Sequence, residues 1–189
     1  MSFYSAEELA ELGIGRYGED VLVSRDARIF RPEQLELGSH VRIDAFSIIS
    51  CGEGGISLGD HVHIGAFAFF SGAGRIEIHD FTGLSSRVSI YSTNDDYSGE
   101  SLTGPTVPDR YRNVTSAPVM IGKHVIIGGC TIILPGVTVG EGAAIGALSL
   151  VSHDIDPFTI WARGKALRER RRDLVALEEL VRDEDSATD

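Results

Sequence analysis

The chain has no apolar run approaching the ~20 residues that a membrane-spanning helix needs. Cysteine is scarce, with only Cys51 and Cys130 in 189 residues. That excludes a disulfide framework, and both read as small buried residues rather than a bridge. Positive charge is scarce too: 17 Lys and Arg stand against 28 acids, for a net charge of −11. Phosphate binding needs a basic face, so nucleic acid is excluded as the main partner. The opening MSFYSAEELAELG has neither the basic segment nor the apolar core of a secretory leader. A cytoplasmic protein is expected.

What the chain does have is a period. Read in sixes from Ile121, it runs IGKHVI, IGGCTI, ILPGVT, VGEGAA, IGALSL, VSHDID. Each block opens on Ile or Val, and four of the six place Gly next. Helices repeat at 3.6 residues and strands at 2, so neither sustains this step. A six-residue period points to a parallel β-helix, each block one short strand and a turn, its opening aliphatic facing inward. The first half repeats more loosely through Val23 and Ile29, then Leu37, Ile43 and Ile49, then Leu58, Ile64 and Phe70, then Ile78, Leu84 and Ile90. Phe67, Phe69 and Phe70 read as core or contact-surface residues.

Three stretches stand outside the period. Ser5-Ala6-Glu7-Glu8 is a capping-box pattern with Gly13 placed to stop the helix, so 1–16 is expected to be a helical cap over the first coil. Residues 17–165 form the β-helix, broken by a long loop at 91–118 whose Tyr91, Tyr97 and Tyr111 favour an ordered, packed segment. Residues 166–189 read as a helix from about Leu167 to Arg182, on the spacing of Leu167, Leu174, Leu177 and Val181, and a disordered acidic tail, DEDSATD.

The segments GLSSRVSIYSTNDDYSG and IGKHVIIGGCTIILPGVTVGEGAAIGALSLVS resemble the hexapeptide-repeat acyltransferases, and the likeness runs over roughly residues 17–172. It is to the sugar O-acetyltransferase-like branch associated with surface-polysaccharide biosynthesis. The resemblance implies an all-β fold, a left-handed parallel β-helix, assembled as a homotrimer with active sites between subunits. It implies transfer of an acetyl group from acetyl-CoA to a hydroxyl of a carbohydrate. The alternative is an N-acetyltransferase acting on a nucleotide-linked amino sugar. A non-enzymatic scaffold is a third reading, against which the long polar loop and the basic run at 163–172 argue, since stacking needs neither.

Related sugar O-acetyltransferases place a catalytic His early in the long loop. Here that place reads Ile90-Tyr91-Ser92-Thr93-Asn94-Asp95-Asp96, and the loop holds no His. His63, one coil earlier, is the best candidate for a substitute base, with a suitable ordinary pKa; a purely structural role is the plainer reading. Asp95 or Asp96 would orient it across a subunit boundary, act as the base, bind an acceptor hydroxyl or amine, or simply sit in a solvated turn. Asn94 or backbone amides would face the oxyanion. His40, His61, His79 and His124 fall at corners and read as turn residues. For the donor, the resemblance puts Gly129 and Ala147 beside the pantetheine arm, and Arg168 and Arg171 toward the phosphates of coenzyme A; a charged helix face is the plainer reading of those arginines. No metal site is expected, because His61-x-His63 lacks the partners of the zinc-binding set in γ-class carbonic anhydrases.

Overall fold

Three short strands and three corners make one coil, and each strand pairs in parallel with the equivalent strand of the next coil. The computed structural model describes residues 2–186. The first face carries Leu22–Val23, Arg42–Ile43, His63–Ile64, Gly83–Leu84, Ile126–Ile127 and Ala144–Ile145 side by side. The second carries Arg28–Phe30, Ile48–Cys51, Phe69–Gly72, Ser89–Tyr91, Ile132–Ile133 and Leu150–Val151. The third carries Leu35–Leu37, Ile56–Leu58, Ile76–Ile78, Val119–Ile121 and Thr138–Val139. The architecture is therefore the expected parallel β-helix.

A strand shows alternate side chains to opposite faces, so one residue of each pair points into the prism. Ile43, Ile64, Leu84 and Ile127 stack this way on the first face, and Ile49, Phe70, Ile90 and Ile133 on the second, all at most 1 % exposed. The aliphatics that open the six blocks from Ile121 are all buried, which is the physical content of the six-residue period.

Corners turn the chain by a left-handed backbone conformation that L-residues adopt at a cost of roughly 1–2 kcal/mol. His40, His61, Phe81 and His124 take it at one corner, with φ of 55° to 57°. Phe46, Phe67, Arg87, Cys130 and Leu148 take it at the next, with φ of 58° to 62°. Stacking offsets part of that cost: ring centroids lie 4.6 Å apart for His40 and His61, 4.5 Å for His61 and Phe81, and 5.0 Å for Phe46 and Phe67. His79 falls two residues before its corner, where Phe81 takes the turn. Cys130, expected to be buried, is exposed because a corner side chain points outward; Cys51 is on a strand and is buried.

The loop leaves after Tyr91 and returns at Val119. Its neck is an antiparallel pair, Thr93–Asn94 with Thr115–Ser116, and Leu102 bridges to Arg112 inside it. At the N-terminus, helix α1 (Ala6–Glu11) has the full capping box, Ser5 accepting from the Glu8 amide while the Glu8 carboxylate accepts from Ser5 N. It buries Leu9, and Glu8 pairs with Arg25 of the first coil.

The C-terminus departs from expectation. Residues Lys165–Glu169 are a strand antiparallel to Thr159–Ala162, and the helix, α2, spans Asp173–Ser186 rather than starting near Leu167. The cause is Arg163-Gly164, both with positive φ (56° and 72°), the two-residue turn that closes a hairpin. Arg170 then donates to the carbonyls of His124, Gly142 and Ala143 at 2.8, 3.1 and 3.3 Å, pinning the hairpin exit to the β-helix. Part of the tail expected to be disordered, 183–186, continues the helix, and 187–189 lie outside the described residues.

Helix α2 lies along the histidine corner. Glu178 meets His124 Nε2 at 2.6 Å and Lys123 Nζ at 3.3 Å, Arg182 meets Asp80 at 2.7 Å and covers Phe81, and Asp185 meets His61 Nε2 at 2.9 Å. Burial raises the Glu178 pKa, but hydrogen bonds from Arg182, His124 and Lys123 outweigh it and bring it down to about 2. A carboxylate depressed in this way stabilises the docked helix fully above its ordinary value of 4.5, and the contribution is lost as pH falls toward 2. We therefore expect Glu178→Gln to weaken α2 docking by about 1–3 kcal/mol. Amide exchange should speed up in α2 and not in the coils, and wild type should show the same selective loosening near pH 3.

Candidate functional site

His63 and Asp44 come together on the first face, one coil apart. Asp44 is 7 % exposed, and it accepts from His63 Nε2 at 2.9 Å through one oxygen and from Arg42 Nε at 2.8 Å through the other. Burial pushes the Asp44 carboxyl up, but the hydrogen bonds from His63 and Arg42 more than reverse this and bring its pKa below the ordinary value. With Nε2 turned to the carboxylate, Nδ1 is left as the acceptor of a neutral imidazole, and the side chain is 51 % exposed. The imidazole is therefore both oriented and solvent-facing.

Beside it runs a groove of about 350 Å³ lined by Asp44, His63, Gly83, Ser85, Ser86 and Ile126, among others. The residue after the inward aliphatic is Gly or Ser in the neighbouring coils (Ser24, Gly65, Ser85, Gly128); at Gly65 and Gly128 the backbone of the next coil leaves no room for a side chain, and a Cβ on Gly65 would lie 2.8 Å from Leu84 O. Asp44 is the exception at this position. An acid there, with a His 19 residues on, is the signal that a reading of the sequence alone passed over.

The loop residues sit elsewhere. Asp95 lines a second cavity, of about 370 Å³, with Tyr91, Thr93 and Arg112. Arg112 pairs with Asp109, while its Nε is buried without a hydrogen-bond partner among the described residues. Asn94 is in the neck of the loop. Asp96 accepts from the amides of Ser98 and Ser101 at 2.8 and 3.0 Å, and those bonds hold its pKa down, so it closes a turn. Within one chain, then, His63 meets Asp44 and not Asp95 or Asp96.

Gly129 and Ala147 occupy equivalent places in successive coils at the corner that follows the first face, and the Leu148 amide donates to Gly129 O at 2.9 Å. Arg168 is exposed on the hairpin, and Arg171 is exposed and pairs with Asp173. His40, His61 and Asp185 offer ligand atoms within 4.8 Å of one another. The two rings are stacked within 14° of parallel, however, and each lone pair lies in its own ring plane, so both cannot meet one ion at about 2.0–2.1 Å.

No family model matches the chain. It is 42 % identical over 184 residues to the dTDP-4-amino-4,6-dideoxy-D-glucose acyltransferase of Escherichia coli, covering 96 % of both chains. The structure of AntD, an N-acyltransferase from Bacillus cereus, in complex with dTDP and 3-hydroxybutyryl-CoA, superposes with a TM-score of 0.92 at 40 % identity, covering 97 % of this chain and 98 % of that one. A hexapeptide-repeat acetyltransferase from Vibrio cholerae complexed with acetyl coenzyme A shares the fold at 21 % identity, TM-score 0.64, over 91 % of this chain and 81 % of that one.

Asp44→Ala would remove the shared acceptor of Arg42 and His63, both about half exposed, and should destabilise the protein by about 1 kcal/mol in urea denaturation, with Asp44→Asn keeping most of the loss at bay. An unchanged midpoint in Asp44→Ala would mean that the carboxylate does not hold the pair.

Proposed function

Because the chain belongs to the hexapeptide-repeat acyltransferases, we propose that it moves an acyl group from a coenzyme A thioester to the amine of a nucleotide-linked amino sugar. The near full-length identity to an acyltransferase of a dTDP-linked amino sugar carries this reading. It replaces the hydroxyl acceptor that the loop resemblance suggested. The loop itself agrees with the change: a free amine is already a nucleophile once deprotonated, so the absent loop His matters less. The Asp95 cavity also brings a carboxylate and the Arg112 guanidinium together, and an amino sugar nucleotide carries the matching ammonium and phosphate charges.

In this mechanism Asp95 receives the ammonium, which gives up one proton to solvent and becomes the free amine. The amine nitrogen adds to the thioester carbonyl, forming the C–N bond and an oxyanion, and His63, oriented by Asp44, takes the second proton from that nitrogen. The C–S bond breaks as the oxyanion collapses, and the proton held by His63 passes on to the leaving sulfur. Asn94 or backbone amides face the oxyanion. The arm of the thioester lies along Ala147 and Gly129, with Arg168 and Arg171 toward its phosphates.

His63 and Asp95 line different cavities of one chain, so the complete site is read as shared between copies of a trimer, one copy giving the His63 groove and its neighbour the loop. Support comes from the corner beside the groove, where Phe46, Phe67 and Leu148 are 55 %, 47 % and 83 % exposed, an apolar strip that a neighbouring subunit would cover.

Two measurements test the proposal. Thiol release from acetyl-CoA against a panel of sugars should be at least about a hundredfold faster with dTDP-linked amino sugars than with their hydroxyl counterparts; equal or faster release with a hydroxyl acceptor would overturn the amine reading. His63→Ala should lower turnover by about 10²–10⁴-fold. If Asp95→Asn is similarly impaired, mixing and reassembling the two variants should restore about a quarter of wild-type activity, since that share of interfaces regains both side chains. No recovery would place the site within one chain.

A further inference from the structure

Outward side chains on the first face form a ladder with one member per coil: Arg42, His63, Gly83, Ile126, Ala144. Gly83 interrupts it between His63 and Ile126. The fold does not ask for glycine here. A Cβ on Gly83 would meet nothing within 4 Å, and its φ is not in the left-handed region. Gly in the middle of a strand weakens it and often marks the place where a ligand approaches. Paired strands lie about 4.8 Å apart, so His63 and Ile126 flank a slot roughly 10 Å across, backbone to backbone, with no side chain between them. It opens into the 350 Å³ groove, with a base on one wall and an exposed aliphatic on the other.

The same coil is where a donor arm would arrive. Ala147, Gly129 and Ser86 follow one another along a single corner, tied by Leu148 N to Gly129 O at 2.9 Å and Cys130 N to Ser86 O at 3.1 Å. An arm lying on Ala147 and Gly129 runs toward Ser86, three residues from Gly83.

Resting on the acyl-CoA reading above, we propose that the slot over Gly83 seats the transferred acyl group and that Gly83 makes room for chains longer than acetyl. The aliphatic wall of Ile126 covers the methylenes, each of which is worth about fourfold in binding when buried. Gly83→Val would fill the slot with a residue that strands accept well, so the variant should fold.

The test compares acetyl-CoA with butyryl-CoA. Affinities are taken by calorimetry without acceptor, and kcat/KM with any acceptor that turns over. Wild type should prefer butyryl-CoA by about tenfold. Gly83→Val should lose that preference, falling at least tenfold for butyryl-CoA and under about threefold for acetyl-CoA, with Gly83→Ala between. Equal affinity of wild type for the two thioesters, a preserved butyryl preference in Gly83→Val, or an equal fall for both donors would each overturn the assignment. So would a change confined to the KM of the acceptor. Thioester affinities stay measurable even if no amino sugar is acylated, which separates failure here from failure of the proposed acceptor.

Discussion

A single coil of this protein cannot stand alone. Its strands are mostly two to four residues long, and their amides and carbonyls find partners in the coils on either side. Most other features answer that constraint. The inward aliphatic must match the one below it, the residue after it must be small where the next backbone passes, and each end must be closed. Helix α1 closes one end, and Trp161 with the antiparallel hairpin closes the other.

The corners are where the constraint leaves freedom, and the chain uses them differently. One holds a stacked run of His40, His61, Phe81 and His124, and their ring nitrogens and the flanking Asp80 and Lys123 receive helix α2 through hydrogen bonds and ion pairs rather than through its leucines. Leu177 and Leu180 consequently remain exposed. A second corner, with Phe46, Phe67 and Leu148, presents apolar side chains beside the groove. Two corners built by the same backbone turn thus end as a docking strip for the chain's own terminus and as an exposed apolar edge within one chain.

The candidate site was only partly legible. His63 stood out as the imidazole one coil before the loop, while its partner was expected from the loop. The observed partner, Asp44, is separated from it by a coil whose length must be known before the two can be matched. The basic run was read at helical spacing because Leu167, Leu174 and Leu177 fit it. The Arg163-Gly164 turn overrode that pattern, leaving Arg168 on a strand and giving Arg170 to three carbonyls as a structural clamp. Gly83 precedes its inward aliphatic, Leu84, where Gly59, Gly65, Gly128 and Gly146 follow theirs, and the open space above it is visible only in the fold.

By itself, the sequence determined the β-helix, its inward residues, the N-terminal cap and the place of the long loop. All of these follow from local rules, a period of six or a capping box, that neighbouring residues impose on one another. Tertiary structure alone decided which side chains share a groove, which acid orients His63, and where the last helix lies. Those depend on register between coils some 20 residues apart, and a one- or two-residue slip at a corner changes every such pairing while leaving the hydrophobic period intact.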